Sequence, residues 1–188
     1  LLAGAGLHRI IPTGQAILPA MNIRIRPTTF NDAATLPAIE RAAGERFREI
    51  PPLAWLAGGE VISTEEHLNY AERGLSWLAL ANHHPVGFIL AEAHATSLFI
   101  VELSVHLDWQ GKGIGRQLIN AVADHAREGG LSSLTLTTFR DVPWNAPFYA
   151  RLGFEKMTTL TPELRQKREE ETAHGFAYET RCAMRLPL

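Results

Sequence analysis

Residues 105–116 combine the end of an apolar segment, a polar loop and three closely spaced glycines. The loop reads Gln-Gly-Lys-Gly-Ile-Gly at residues 110–115 and leads into an amphipathic stretch that predicts a helix over residues 113–128. Glycine lets the main chain approach a ligand closely, and the N–H groups of such a loop converge. The helix N-terminus adds partial positive charge. The pattern therefore predicts an anion site that suits a phosphate or pyrophosphate.

Two common phosphate-binding patterns do not fit this loop. A Walker loop needs Ser or Thr after Gly-Lys, and here Gly111-Lys112 is followed by Gly113. A dinucleotide fingerprint has a different glycine spacing and an acidic residue about 20 positions further on, where this chain has Leu131. An unrelated nucleotide-binding protein is therefore disfavoured.

Two segments of the sequence resemble those of a known enzyme family. Residues 102–118, with Gln110, Gly113 and Gly115 at the key positions, closely resemble the acyl-coenzyme A signature of the GNAT N-acetyltransferases. Residues 145–154, Asn-Ala-Pro-Phe-Tyr-Ala-Arg-Leu-Gly-Phe, resemble the Asn, Tyr and Gly-Phe segment that follows in that family. The two segments are separated by a predicted strand, and the order of elements from Met21 to Leu186 is also similar to that of the family.

The resemblance implies acetyl-coenzyme A as cosubstrate and no metal. The loop amides would hold its pyrophosphate, and the main chain of residues 103–105 would bind the acetyl and pantetheine groups between two splayed strands. Lys112 and Arg116 could equally be solvated surface charges, and Asn145 could cap a short helix. The coenzyme-binding residues implied are Leu103, Ser104, Val105, Gln110, Gly111, Lys112, Gly113, Ile114, Gly115, Arg116, Asn145 and Phe148.

The same resemblance implies two catalytic residues. Tyr149 would be the general acid that protonates the leaving thiolate, and Glu102 the general base, often acting through water. A packing tyrosine and a salt-bridged glutamate are the structural alternatives. His94 and His106 are other candidate bases, because their ordinary pKa lies near neutrality. Transfer would be direct, and Cys182 reads as a small buried side chain rather than a nucleophile.

The acceptor is expected near two segments rich in aromatic residues. Phe47 and Trp55 could form an apolar wall, Glu49 could hold a cationic amine, and Trp144 could stack on the acceptor or cover the coenzyme. Such a pocket favours a small organic amine as the partner. A protein N-terminus or lysine remains open, and so does a non-catalytic acyl-coenzyme A sensor.

Hydrophobic periodicity predicts the elements that would position these residues. The order is strand, two helices, three strands, helix, strand, helix and two strands, with Asp32 capping the first helix and Phe176 to Leu186 forming the last strand. This order predicts one α/β layer structure with a mixed sheet. The resemblance implies that it is a GNAT fold, with a mixed, twisted sheet of six to seven strands, about four helices, and central strands splayed around the coenzyme. The charged stretch 163–172 is expected to be a helix or loop.

Composition limits the remaining possibilities. The chain has 188 residues, a net charge of −2 and one cysteine, so it carries no basic field for nucleic acid and fits a reducing, cytoplasmic setting. No apolar run is long enough to span a membrane. Residues 1–20 are expected to be an upstream or artificially added extension, or else an arm against a partner subunit, and residues 21–188 a single domain. A homodimer is possible by analogy with the fold.

Overall fold

The computed structural model describes residues 21–188, which form one seven-stranded mixed sheet flanked by helices on both faces. The strand order across the sheet is β1-β2-β3-β4-β5-β7-β6, so β4 and β5 are central neighbours. The predictions made for residues 1–20 lie outside the described residues. The strands are β1 (Ile23–Pro27), β2 (Ser76–Ala81), β3 (His84–Ala93), β4 (Ser97–Val105), β5 (Ser133–Phe139), β6 (Glu155–Lys156) and β7 (Arg181–Pro187).

Five α-helices are present in the described part of the chain, one more than the number expected, because the charged stretch forms a regular helix. Its N-cap Thr161 accepts a hydrogen bond from the N–H of Leu164. None of the helices in residues 21–188 is long and apolar enough to cross a membrane. The helices are α1 (Leu36–Gly44), α2 (Thr64–Glu72), α3 (Ile114–Glu128), α4 (Ala146–Arg151) and α5 (Pro162–Ala173).

Helix α3 forms where its apolar spacing predicts. Ile114, Leu118 and Val122 recur at every fourth position and are all buried against the sheet. The helix ends at Glu128, and Gly130 follows with a φ of 70°. Helices α3 and α4 cover one face of the sheet, and α1 and α2 pack on the opposite face through a second apolar cluster. The sheet is therefore apolar on both sides.

The two central strands separate after a short parallel ladder. Ser97, Leu98 and Phe99 of β4 pair with residues 133–135 of β5, and no pairing between these strands continues beyond that point. The expected splay of the central strands is confirmed. It opens a gap in the middle of the sheet, with unpaired main-chain groups on both sides.

The first helical region differs from the sequence expectation in its start and its length. Asp32 is not the N-cap of α1; it is the third residue of a 3-10 helix (Phe30–Thr35). Its carboxylate accepts the N–H of the N-cap Thr29 at 2.7 Å, as in a capping box, and also bonds to Arg26. After α1, two 3-10 helices, Glu45–Glu49 and Pro51–Gly58, cross the edge of the sheet gap. Prolines at the start of the second one break a continuous α-helix.

The last strand begins later than predicted. Residues 178–180 form a 3-10 turn, and β7 starts at Arg181. The predicted start, Phe176, instead packs its ring against Phe139 and Trp55, at centroid distances of 5.6 and 5.7 Å. Strand β6 is likewise shorter than the predicted 154–158. The half-buried ring of Phe176 therefore takes part in side-chain packing, and its main chain lies outside the β7 ladder.

Candidate active site

The glycine loop leaves the N-terminus of α3 open. Gly111 and Gly113 have φ angles of 74° and 80°, a region that residues with a β-carbon rarely adopt. Gly113 is the N-cap of α3 and no side chain caps the helix. The first main-chain N–H groups of the helix are therefore free of a side-chain partner and can bind an anion.

Gln110 and Gly115 fix the loop to its surroundings. The Gln110 side chain donates to the main-chain oxygen of Val105 at 2.9 Å and accepts a hydrogen bond from Arg46 at 3.1 Å. A β-carbon on Gly115 would lie 3.2 Å from the Phe148 ring, so glycine allows α3 and α4 to approach closely. These contacts join the loop to β4 and α4.

A β-bulge sets the direction of Glu102. Leu90 of β3 pairs with Glu102 and the next residue, Ala91, pairs with Ile100, so Val101 is an extra residue in β4. Because of it, Ile100 faces the α3 side and Glu102 the α1 side, although they are two positions apart. Ser104 shares the side of Glu102 and donates its hydroxyl to Glu102 Oε1 at 2.8 Å.

Tyr149 approaches the gap from the other face. It is 8% exposed, belongs to α4 and packs against the rings of Phe148 and Phe154. Burial raises the pKa of its phenol above the ordinary value, and the charge of Glu102 raises it further. The phenol therefore stays protonated at neutral pH and is able to donate a proton.

A second carboxylate, which sequence reasoning missed, lies near Glu102. Glu40 of α1 lines the same cavity and accepts the main-chain N–H of Ile62 at 3.0 Å. Burial and the neighbouring Glu102 raise the pKa of Glu40 to about 8. Burial also raises the pKa of Glu102, although Ser104 and Arg181 oppose the shift. The only sequence signal was an acidic residue directly after the buried Ile39 in the first helix.

Five aromatic rings form a continuous row along one side of the site, which we call the aromatic row. Adjacent ring centroids in it are 5.6 to 5.8 Å apart. The Arg181 guanidinium lies 4.5 Å from the ring of Phe139, and that of Arg46 lies 4.2 Å from the ring of Trp144. In order, the row is Trp55, Phe176, Phe139, Phe47 and Trp144.

Asn145 keeps one polar atom free. It is the N-cap position of α4, but its side chain does not cap the helix. Its Oδ1 is buried and has no hydrogen-bond partner among residues 21–188, and its amide group makes one long contact, 3.4 Å, to the oxygen of Trp144. A buried amide oxygen without a partner costs free energy. It fits a ligand that brings an N–H group.

These features line one cavity of about 790 Å³. It contains both residues expected to be catalytic, and from the expected coenzyme and acceptor sets it includes Leu103, Ser104, Val105, Gln110, Gly111, Gly113, Ile114, Gly115, Arg116, Asn145, Phe148, Phe47 and Trp144. The predicted site residues outside the lining are Lys112, Glu49 and Trp55.

The other candidate residues lie elsewhere. His94 stacks on Phe99 near the β3–β4 turn, and His106 accepts the N–H of Asp108; neither lines the cavity. Cys182 is buried, and burial raises the pKa of its thiol. Within residues 21–188 no group of three or more His, Cys, Asp or Glu side chains is placed to hold a metal ion.

Comparison with known proteins identifies the family. The sequence model of the acetyltransferase (GNAT) family matches residues 41–154, which is more than half of the chain. The chain belongs to the GNAT acetyltransferase family. An uncharacterized N-acetyltransferase of Methanocaldococcus jannaschii is 32% identical over 91 residues, covering 45% of this chain and 40% of that protein. The chain thus spans well under two thirds of this curated relative.

Solved structures show the same fold. The PaiA N-acetyltransferase of Thermoplasma acidophilum in complex with coenzyme A is 20% identical, with a TM-score of 0.67 over 89% of this chain and 100% of that one. N-Acetylglutamate synthase of Neisseria gonorrhoeae, also 20% identical, has a TM-score of 0.65 over 89% and 35% of the two chains. The ribosomal-protein-S18-alanine N-acetyltransferase of Escherichia coli has a TM-score of 0.60 at 17% identity, over 88% and 94%.

Proposed function

We propose that this GNAT protein is an acetyl-coenzyme A-dependent N-acetyltransferase that transfers the acetyl group directly to a small organic amine. The observation that carries the proposal is the single cavity that joins the open N-terminus of α3 to Glu102 and Tyr149. An anion site at one end and an acid–base pair at the other are what acyl transfer from a pyrophosphate-bearing thioester requires. The M. jannaschii relative is named as an N-acetyltransferase, which agrees.

The cavity residues fit coenzyme A. The free N–H groups of the loop and of the first turn of α3 would bind the pyrophosphate, with Arg116 adding charge. The buried Oδ1 of Asn145 would accept an amide N–H of the pantetheine arm. Residues 103–105 are paired with β3 but not with β5, and their main-chain groups that face the sheet gap would bind the rest of that arm. Lys112, outside the lining, would act only through its charge.

Acid–base catalysis follows from the two catalytic side chains. Glu102 takes a proton from the acceptor ammonium, and the neutral nitrogen then forms a C–N bond to the thioester carbonyl carbon. The C–S bond breaks, and Tyr149 gives its phenolic proton to the departing sulfur. The nitrogen then loses a second proton, which passes to the Tyr149 phenolate and restores the phenol. The proton held by Glu102 is released to solvent, so the reaction releases one proton in total. The raised pKa of Glu102 makes it a stronger base than an ordinary carboxylate, and the raised pKa of Tyr149 keeps the phenol protonated until the thiolate forms.

The size of the acceptor is inferred from the aromatic row. Four of its members line the cavity, and the row links the 3-10 segment after α1 to the residues before β7. Such a wall favours a compact apolar amine over an extended polypeptide. The similar structures do not separate these classes, since their names include both N-acetylglutamate and a ribosomal protein.

A thiol-release assay tests the proposal. The protein is incubated with acetyl-coenzyme A and a panel of small amines, peptides with free N-termini and lysine peptides, and free thiol is measured. Melting temperature is measured in parallel with coenzyme A. We expect stabilisation together with thiol release for small amines. Stabilisation without thiol release across the panel would instead identify a non-catalytic sensor, and release with peptides alone would identify a protein acetyltransferase.

A further inference from the structure

Glu40 is a charged group of the cavity that acetyl transfer as described above does not use. One carboxylate oxygen, Oε2, is held by the N–H of Ile62 at 3.0 Å, which anchors the side chain against the loop before α2. Helix α1 packs on β4, and Glu40 and Glu102 both line the cavity. Two of the carboxylates that line the cavity, Glu40 and Glu102, thus come from two elements that pack against each other.

Neither of these two carboxylates has a salt bridge within residues 21–188. Arg181 donates to Glu171 at 2.5 Å and lies against the rings of Phe139 and Phe176, so it is already paired. Arg41 acts on Glu40 through its charge but forms no salt bridge with it. Two half-buried carboxylates that share a cavity and have no salt-bridge partner are unfavourable when both are ionised, and a positive ligand between them offsets this cost. A protonated amine supplies that charge.

We propose that Glu40 determines acceptor specificity: with Glu102 it binds the acceptor as a primary ammonium group that carries no carboxylate beside the nitrogen. The inference rests on the proposed acetyl transfer and narrows its acceptor. An α-amino acid would bring its own carboxylate against the two glutamates, and Arg181 is not free to offset it because Glu171 holds it. The rings of the aromatic row would contact the apolar body of the amine.

The electrostatics of the pair support this role. Burial and the charge of Glu102 raise the pKa of Glu40, and burial raises the pKa of Glu102, so each carboxyl favours its neutral form more than an exposed glutamate does. A bound ammonium favours ionisation of both and leaves Glu102 ready to take its proton: the N–H bond breaks, an O–H bond forms, and the amine becomes neutral. The remaining titratable or charged groups that act on the pair are Arg41, Glu66, Tyr149 and Arg181.

Binding measurements test the specificity without requiring turnover. Phenethylamine and phenylalanine differ only by the carboxylate beside the amine, so they form a matched pair. With coenzyme A present, calorimetry on the wild-type protein should give a Kd for phenethylamine at least about 30-fold lower than for phenylalanine. Glu40→Gln keeps the size of the side chain and an oxygen for Ile62, and it should raise the phenethylamine Kd at least about tenfold. Equal affinity for the two ligands would overturn the proposal.

Steady-state kinetics separate a role of Glu40 in the site from a structural one. In Glu40→Gln, KM for phenethylamine should rise about tenfold. On the acid side of the pH profile, kcat/KM should fall at a pH about one unit lower, because the loss of the Glu40 charge lowers the pKa of Glu102. Glu40→Asp should recover part of the KM. The control Glu65→Gln, an exposed residue of α2, should change neither. An unmoved KM and acid limb in Glu40→Gln would refute the inference.

The two proposals fail in different ways. If the wild-type protein binds phenethylamine in preference to phenylalanine, and Glu40→Gln abolishes that preference, but no amine releases thiol, then acetyl transfer is wrong and the ammonium site stands. If amines release thiol at the same rate and KM with and without Glu40, then the transferase stands and the assignment of Glu40 is wrong.

Discussion

Two substitutions of Gly113 separate the effect of the loop conformation on coenzyme A binding from the effect of its charge. Gly113 has a φ of 80°, and a β-carbon there would meet no heavy atom within 4 Å. Asn and Asp are nearly equal in size, both tolerate this region of φ, and both are good N-caps. Gly113→Asn and Gly113→Asp should therefore both fold, with free energies of unfolding within about 1 kcal/mol of each other. They differ in one charge at the start of α3.

That charge should weaken coenzyme A binding, because the open N-terminus of α3 would then carry a carboxylate at the proposed pyrophosphate site. Two unit charges about 5 Å apart interact by about 3 kcal/mol at an effective dielectric constant of about 20, which corresponds to a factor of about 100 in Kd. We expect calorimetry at low salt to give a Kd about 100-fold higher for Gly113→Asp than for Gly113→Asn, with a smaller ratio at high salt. Equal Kd values would refute the assignment of the loop as the pyrophosphate site.

Three further predictions concern single side chains. Tyr149→Phe should lower kcat about 100-fold and leave the coenzyme A Kd within about twofold; an unchanged kcat would remove Tyr149 as the acid. Phe47→Ala should raise the acceptor KM at least about fivefold, whereas Trp55→Ala should change it less than about twofold, because Trp55 lies outside the cavity lining; the reverse order would place the acceptor elsewhere. His67 is fully buried, neither ring nitrogen is hydrogen-bonded to any of residues 21–188, and burial lowers its pKa from 6.5 to about 4. The unfolded chain therefore binds this proton first as the pH falls below 6.5, which lowers stability by about 2 kcal/mol at pH 5. Between pH 8 and pH 5, the free energy of unfolding measured with urea should fall by about 2 kcal/mol less in His67→Leu than in the wild type. An equal fall in both proteins would contradict this prediction.

Local sequence was sufficient for the loop and for α3, because their signals are short-range. The positive φ angles at Gly111 and Gly113 and the buried spacing of the helix depend only on neighbouring residues. The direction of Glu102 is different. Simple alternation along β4 would place it on the same face as Ile100, and only the extra residue Val101 reverses this. A bulge depends on pairing with β3, which the spacing of apolar residues in one strand does not reveal.

Glu40 and Arg181 could not be assigned to the site for a related reason. Glu40 is 62 positions before Glu102, and the two come together only because α1 packs on β4. Arg181 lay within the predicted last strand, but its contacts with Glu171 and with Phe176 depend on where that strand begins. Tertiary packing, which no local pattern encodes, decides both positions.

The gap in the sheet explains how the proposed acid and base, which come from opposite faces, can act on one substrate. Tyr149 belongs to the apolar cluster on the α3 side, whereas the bulge directs Glu102 to the α1 side. In a continuous sheet the main chain would separate the two groups. Because β4 and β5 stop pairing after Phe99, both side chains reach the same cavity, and the charge of Glu102 acts on the Tyr149 phenol. A thioester lying in the gap would therefore meet the amine and its proposed base on one side and the proposed proton donor on the other. Glu102 would take a proton from the nitrogen on one side of the carbonyl carbon, and Tyr149 would give its own proton to the sulfur on the opposite side.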